Sequence, residues 1–283
     1  MTSPDGGAAR PIELRQLPLV LFQAASQQWG DLLRDYLLRG IGGSAQPYSA
    51  DSIARSVSAL DLLRQAVAEG ALQEPHAERI DVVLALGSVT AGDFAVLQGA
   101  LDHGRQLAIA GEMLAPPTLP EVVALRNWFC DQVVDQTSDA EPDAWQFIDR
   151  IDAPVEVELA EWDSALSPPD DEAWLVADDH NRIVVASSAA STLLGWSGSL
   201  VGHRLLAVIP ERLREQHVAG FTRSVLGGDD RLLGVPLALP ALRRDGTEVA
   251  VTLTLSKHRA RRGRAVYLGR LAPDESAAAI SAQ

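Results

Sequence analysis

Arg243-Arg-Asp-Gly-Thr-Glu-Val-Ala-Val-Thr-Leu-Thr-Leu255 decides the fold class of the second half of this 283-residue chain. Asp245-Gly246 supplies turn chemistry, and Val249, Val251, Leu253 and Leu255 then alternate with Ala250, Thr252 and Thr254. Period-two alternation over that length predicts a strand with one buried face. Leu237–Leu242 before the turn and Ala265–Leu271 after a basic tip are further extended runs. Upstream, Trp174–Ala177 and Ile183–Val185 flank the polar Asp178-Asp179-His180-Asn181, which predicts a hairpin. Between hairpin and third strand lie a short helical piece, Ala189–Leu194, and a longer one from Glu211 to Leu226 stopped by Gly227-Gly228. Two strands, helices and three strands predict an α+β unit with a five-stranded antiparallel sheet and helices on one face.

The first half reads differently. Phe22, Ala25, Trp29, Leu32, Leu33, Tyr36 and Leu37 recur at helical spacing, as do Ile53, Val57, Leu60, Leu63 and Val67 behind the N-cap candidate Ser49. Thr90–Asp93 and Thr118–Glu121 fit capping boxes opening two more helices. The expectation is an all-α domain over 16–138, preceded by a disordered 1–15.

Net charge is −14, unevenly placed: 1–170 hold 10 Lys/Arg against 26 Asp/Glu, whereas 171–283 hold 14 against 12. Twelve acids, one base and four prolines in 139–172 predict an acidic linker over 139–171, with Val155–Leu159 as a possible short strand. An acidic front half argues against a nucleic-acid partner, since phosphates would be repelled. Arg259, Arg261, Arg262 and Arg264 form a basic tip. It reads either as a solvated hairpin end or as a docking site for an acidic partner or for the linker itself. Neither a signal-peptide pattern nor a long apolar run is present, so a cytoplasmic protein without membrane contact is expected, with 273–283 as a flexible tail. Cys130 beside Asp131 reads as a buried small hydrophobe. No nucleophile-elbow, P-loop, dinucleotide-binding or metal-ligand spacing occurs, so no catalytic residue and no metal ligand are assigned.

Four segments in register, Leu193-Leu-Gly-Trp196, Leu200-Val-Gly202, Ile209–His217 and Arg244–Glu248, resemble the PAS domain pattern over about 172–272. More weakly, the front half resembles helical segments that precede PAS domains in bacterial signalling proteins. The resemblance implies a sensory or regulatory protein that acts through protein–protein contacts as a homodimer, with no catalytic output domain among these residues. It also implies a ligand cavity between sheet and helices, lined here by Leu206, Val208, His217, Phe221, Leu233, Val249 and Val251, either filled by these side chains or open to an apolar ligand.

No cofactor is predicted. Light-sensing flavin adducts need a cysteine, which the back half lacks. For haem-bearing members the resemblance places the iron ligand in the stretch matching 229–234. Arg231 stands there and its guanidinium does not ligate iron, which disfavours haem. The alternative reading remains a haem- or flavin-binding redox or gas sensor. Many members also carry an Asn just after the second strand, where this chain has Ser187-Ser188.

Overall fold

The computed structural model describes residues 11–41, 47–227, 231–260 and 264–274. The chain divides into two units, Met1–Ile148 and Asp149–Gln283.

The first unit packs four helices, α1 (Leu19–Ile41), α2 (Ala50–Gln73), α3 (Ala91–Ile109) and α4 (Pro120–Gln136). Their apolar stripes meet in a core where Trp29 sits edge-on to Phe22 and Phe129, with centroids 6.1 and 5.3 Å away. Ser49 caps α2 by accepting from Ser52 N, and Thr90 and Asp93 form the reciprocal capping box of α3. The box expected at Thr118–Glu121 is absent. Leu119 is the N-cap residue and Pro120 opens the helix without a side-chain cap. Both Thr118 and Glu121 are buried, so Glu121 belongs to the interior and not to an exposed first turn.

This unit is not all-α. β1 (Ile12–Pro18) and β2 (Arg79–Leu84) form an antiparallel pair, with a register shift between Leu14 and Leu17 near Gln16, whose φ is 59°. Residues 12–15 are therefore a paired strand and not a disordered terminus. The pattern was there to read, since Ile80, Val82 and Leu84 are buried and alternate with partly or fully exposed neighbours. Six residues between longer helical patterns were too few for that alternation to stand out.

The acidic stretch 139–171 is divided between the units. Trp145 is buried, donates its N–H to the Arg15 carbonyl (2.9 Å) and stacks edge-on with Trp128. From Asp149 onward the chain belongs to the second unit and forms what we call the strap, irregular apart from a 3-10 turn at Ser164–Leu166. Val155–Leu159 is not a strand there. The apolar anchors Trp145, Ala160 and Trp162 pack, while most carboxylates of the stretch stay exposed and Asp149 pairs with Arg214.

In the second unit, β3 (Trp174–Asp178), β4 (Ile183–Ala186), β5 (Leu237–Leu242), β6 (Glu248–Arg259) and β7 (Ala265–Pro273) make one antiparallel sheet in the order β4-β3-β7-β6-β5. α5 (Ser188–Leu193), a 3-10 turn (Leu205–Val208) and α6 (Glu211–Val225) lie between β4 and β5 in sequence. Alternation along the strands separates two cores. Leu175, Ile183, Val251 and Leu271 pack with Leu194, Leu200 and Val208 on the helix side. Trp174, Val176, Val266 and Leu268 face the other way, and Ala160 and Trp162 of the strap pack on them. With both faces covered, all five residues of β3 are buried.

Candidate functional site

The site is organised by the β3–β4 turn, Asp178–Arg182. Asp178 is 1% exposed and its Oδ1 accepts from His180 N (3.0 Å) and Arg182 N (3.2 Å), an Asx-type closure of the turn. Asn181 N donates to the Asp178 carbonyl, and Asn181 adopts φ 62°, a left-handed conformation that Asn tolerates better than most side chains.

The turn sends Asn181 inward. This residue is fully buried, and its Nδ2 lies 2.9 Å from His217 Nε2 on α6. With the amide nitrogen donating, Nε2 is the acceptor and the imidazole proton sits on Nδ1. Burial, and secondarily the positive charge of Arg204, lower the His217 pKa from 6.5 to about 4, so the ring is neutral at physiological pH. Arg204 is itself buried and donates to the Arg150 carbonyl at 3.1 Å. Phe221, one turn further along α6, stacks at a tilt against His217 (5.8 Å) and Tyr267 of β7 (5.4 Å). Asn181 Oδ1 and Thr222 Oγ1 are buried without hydrogen-bond partners, a costly state inside a protein.

The remaining sequence candidates distribute around this point. Val208 and Val251 belong to the helix-side core with Val249 packed against it, and Leu206 is fully buried with its carbonyl accepting from Arg214 Nε (3.2 Å). Leu233 is partly buried and bridges Leu255. Sequence reading missed Asn181, Arg204 and Tyr267. Asn181 looked like ordinary turn chemistry, and nothing local marks a turn residue as pointing inward.

Ser187, where many PAS domains carry an Asn, has a structural task. Its Oγ accepts from Ala190 N and from Trp174 N, both at 3.0 Å, which caps α5 and ties it to β3.

The turn sends Asp178, Asp179 and His180 to the other side, where they meet Arg264 of the basic tip. Arg264 Nη2 lies 3.0 Å from Asp178 Oδ2, 2.5 Å from Asp179 Oδ1 and 2.6 Å from His180 Nδ1. These three residues offer ligand atoms mutually within 4.8 Å, but the guanidinium already supplies the positive charge there. Hydrogen bonds from His180 and Arg264, with their charges, outweigh burial and hold the Asp179 pKa below the usual carboxylate value. Arg264 Nη1 also reaches the Glu158 backbone carbonyl of the strap (2.5 Å). Arg259 is exposed, and Arg261 and Arg262 lie outside the described residues.

Comparison with known proteins adds to this geometry. No protein-family model matches the chain. Over 87 residues, 30% of its length, the chain is 30% identical to the Sensor protein FixL of Bradyrhizobium diazoefficiens, and the match spans 17% of that protein. The C-terminal unit is PAS-like. Among solved structures, the chain is similar to a PAS domain from Desulfitobacterium hafniense at 12% identity, covering 37% of this chain and 93% of that one with a TM-score of 0.32. It is also similar to the PAS domain of an HTR-like protein from Haloarcula marismortui, at 17% identity, 36% and 81% coverage and a TM-score of 0.30. Among the described residues, no helix is long and apolar enough to cross a membrane.

Proposed function

We propose that the PAS-like unit is the signal-receiving part of a regulatory protein that acts through protein–protein contacts as a homodimer. The observation that carries this reading is the contact between the fully buried Asn181 and the partly buried His217 of α6, a half-satisfied amide against a neutral imidazole. Packing alone would favour apolar side chains there, because an unpaired buried amide oxygen costs about 1–3 kcal/mol. A polar recognition point inside a sensory fold accounts for that cost. The reaction-bearing spacings missing from the sequence fit a module that receives and relays, and we assign no catalytic residue. The likeness to a protein named as a sensor supports the same reading.

Sedimentation of the purified full chain, combined with native mass spectrometry, tests it. A dimer with a bound small molecule, or one whose mass distribution shifts on ligand addition, is expected. A monomer without bound mass at all concentrations overturns the reading.

A second reading is favoured by one feature of the site. Arg231, where the resemblance puts the iron ligand, is exposed and offers no iron donor. His217 is the relevant donor, and its neutral imidazole suits the donor role that an iron porphyrin requires. Its Nε2 is engaged by Asn181, which would have to give up that contact. When bound, such a group would supply gas or redox sensitivity, while His217 would hold it and Phe221 and Tyr267 would flank it. An absorption spectrum of the protein as purified, and again after haemin addition, distinguishes the two readings. A Soret band lost in His217→Ala supports the haem reading, and a flat visible spectrum in both samples removes it.

A further inference from the structure

The β3–β4 turn bonds both the strap and the interior site, while Arg204 and Arg214 hold the start of the strap at Arg150 and Asp149. On the strap side, Arg182 Nη2 donates to the carbonyls of Ala153 (2.6 Å) and Pro154 (2.9 Å). Asp178 Oδ2 accepts from Ala160 N at 3.3 Å, and Arg264, bound to Asp178 and Asp179, donates to the Glu158 carbonyl. Every one of these strap contacts goes to strap backbone, so they hold a conformation of the chain and not merely its charge. On the interior side, Asn181 bonds His217 through its side chain, and its carbonyl accepts from Leu205 N at 2.9 Å. Asn181 and Arg182 are consecutive residues. A left-handed Asn181 cannot turn without rotating Arg182 and breaking the Asp178–Arg182 backbone pair (Asp178 N to Arg182 O, 2.9 Å).

We propose that the β3–β4 turn is a two-sided coupling element: a change at His217 that removes the Asn181 contact loosens the strap over 153–162. Withdrawal of the imidazole leaves Asn181 with both side-chain polar atoms unpaired in the interior, since Oδ1 already lacks a partner. The route to relief is rotation of the turn, and Arg182 then loses its two strap carbonyls. Arg182 also donates to the Gly202 carbonyl (2.8 Å), so it keeps a partner on the sheet side when the strap leaves. The strap is the covalent connection to the helical unit, and its release is therefore a change that the rest of the chain receives. The proposal draws its purpose from the receiving role of this unit, but its test needs no ligand. A protein that proves monomeric and ligand-free still shows or lacks the coupling.

Hydrogen exchange of the full chain, followed by mass spectrometry over 153–162, reads it out. Asn181→Gly preserves the left-handed backbone while removing the amide, and His217→Leu removes the acceptor. Arg264→Met serves as the reference for a strap cut from its latch. Acceleration of strap exchange by about tenfold or more in His217→Leu, absent when Asn181→Gly removes the stranded amide in the same chain, with amides of β6 and β7 changed less than about twofold, is the expected result. Strap exchange unchanged in His217→Leu while Arg264→Met accelerates it overturns the coupling, and so does acceleration that persists in the double variant. Equal acceleration through strap, β6 and β7 overturns it too, because it shows general destabilisation.

Discussion

Asp178→Asn changes one atom of a buried side chain, and the expected damage follows from where its oxygens sit. Oδ1 accepts two backbone N–H groups of its own turn, and Oδ2 accepts Ala160 N and Arg264 Nη2. Asparagine keeps one oxygen. If that oxygen stays with the turn, the new NH₂ faces two donors, Ala160 N–H and the guanidinium. If it flips, the NH₂ faces the two turn N–H groups. Either way two donors lose their acceptor at a site only 1% exposed. Each buried orphan costs about 1–3 kcal/mol, and removing one partner of a buried ion pair costs about 3–5 kcal/mol when the other charge is stranded. Arg264 is not stranded, because Asp179 still holds it, so the upper part of that range does not apply. The expected loss is about 3 kcal/mol. Native-state hydrogen exchange suits the measurement, since it reads the two units separately. The slowest amides of β3 and β7 should exchange about 100-fold faster in Asp178→Asn, with those of α1–α4 unchanged. A change below about threefold in β3 and β7 would show that water or an alternative partner satisfies these donors, and the account of the latch would fall.

Two further outcomes follow from other buried groups. The His217 imidazole takes its proton near pH 6.5 in the unfolded chain but only at about pH 4 in the folded one, so the unfolded state binds more protons between those values. Its contribution is complete above pH 6.5 and is lost as pH falls towards 4, at most about 3 kcal/mol. Urea unfolding monitored at β6 and β7 amides should therefore weaken over that window in the wild type and much less in His217→Gln, and parallel pH profiles for the two proteins would refute the assignment. Cys130 is fully buried, and its pKa is raised first by that burial, with Arg126 opposing and Asp131 adding to it. A thiol reagent should leave the native protein unmodified while reacting fully with the urea-unfolded chain, and rapid native labelling would show that this helix opens.

Much of the architecture was legible because its signals are local and periodic. The eight-residue alternation from Glu248, the Asp245-Gly246 turn and the helical stripes of Phe22–Leu37 and Ile53–Val67 all correspond to elements in the structure. The errors arose where a short element or a composition argument competed with packing. β2 is six residues between longer helical patterns, and its partner β1 lies 67 positions away by first residue, a pairing that no local window contains. The acidic stretch was read from its charge, whereas Trp145 and Ala160 decide its course by burial. Thr118–Glu121 matches the capping pattern in letters, but Leu119 is the N-cap residue, which puts the buried Glu121 one place too early for the box.

From residues alone, this chain is specified as helices followed by a PAS-like sheet, because hydrophobic period and turn chemistry act within a few positions of each other. The candidate site is another matter. His217 was visible as a lone histidine on a helix, but its neutrality depends on burial and on Arg204, and its partner Asn181 sits 36 residues earlier in a turn that looks solvent-facing in sequence. Likewise Arg264 was one of four arginines in a basic tip until folding placed it against Asp178, Asp179 and a strap carbonyl more than 100 residues upstream. Direction of a side chain at a turn, and the electrostatics of a buried ring, exist only once distant segments have been brought together and water removed from between them.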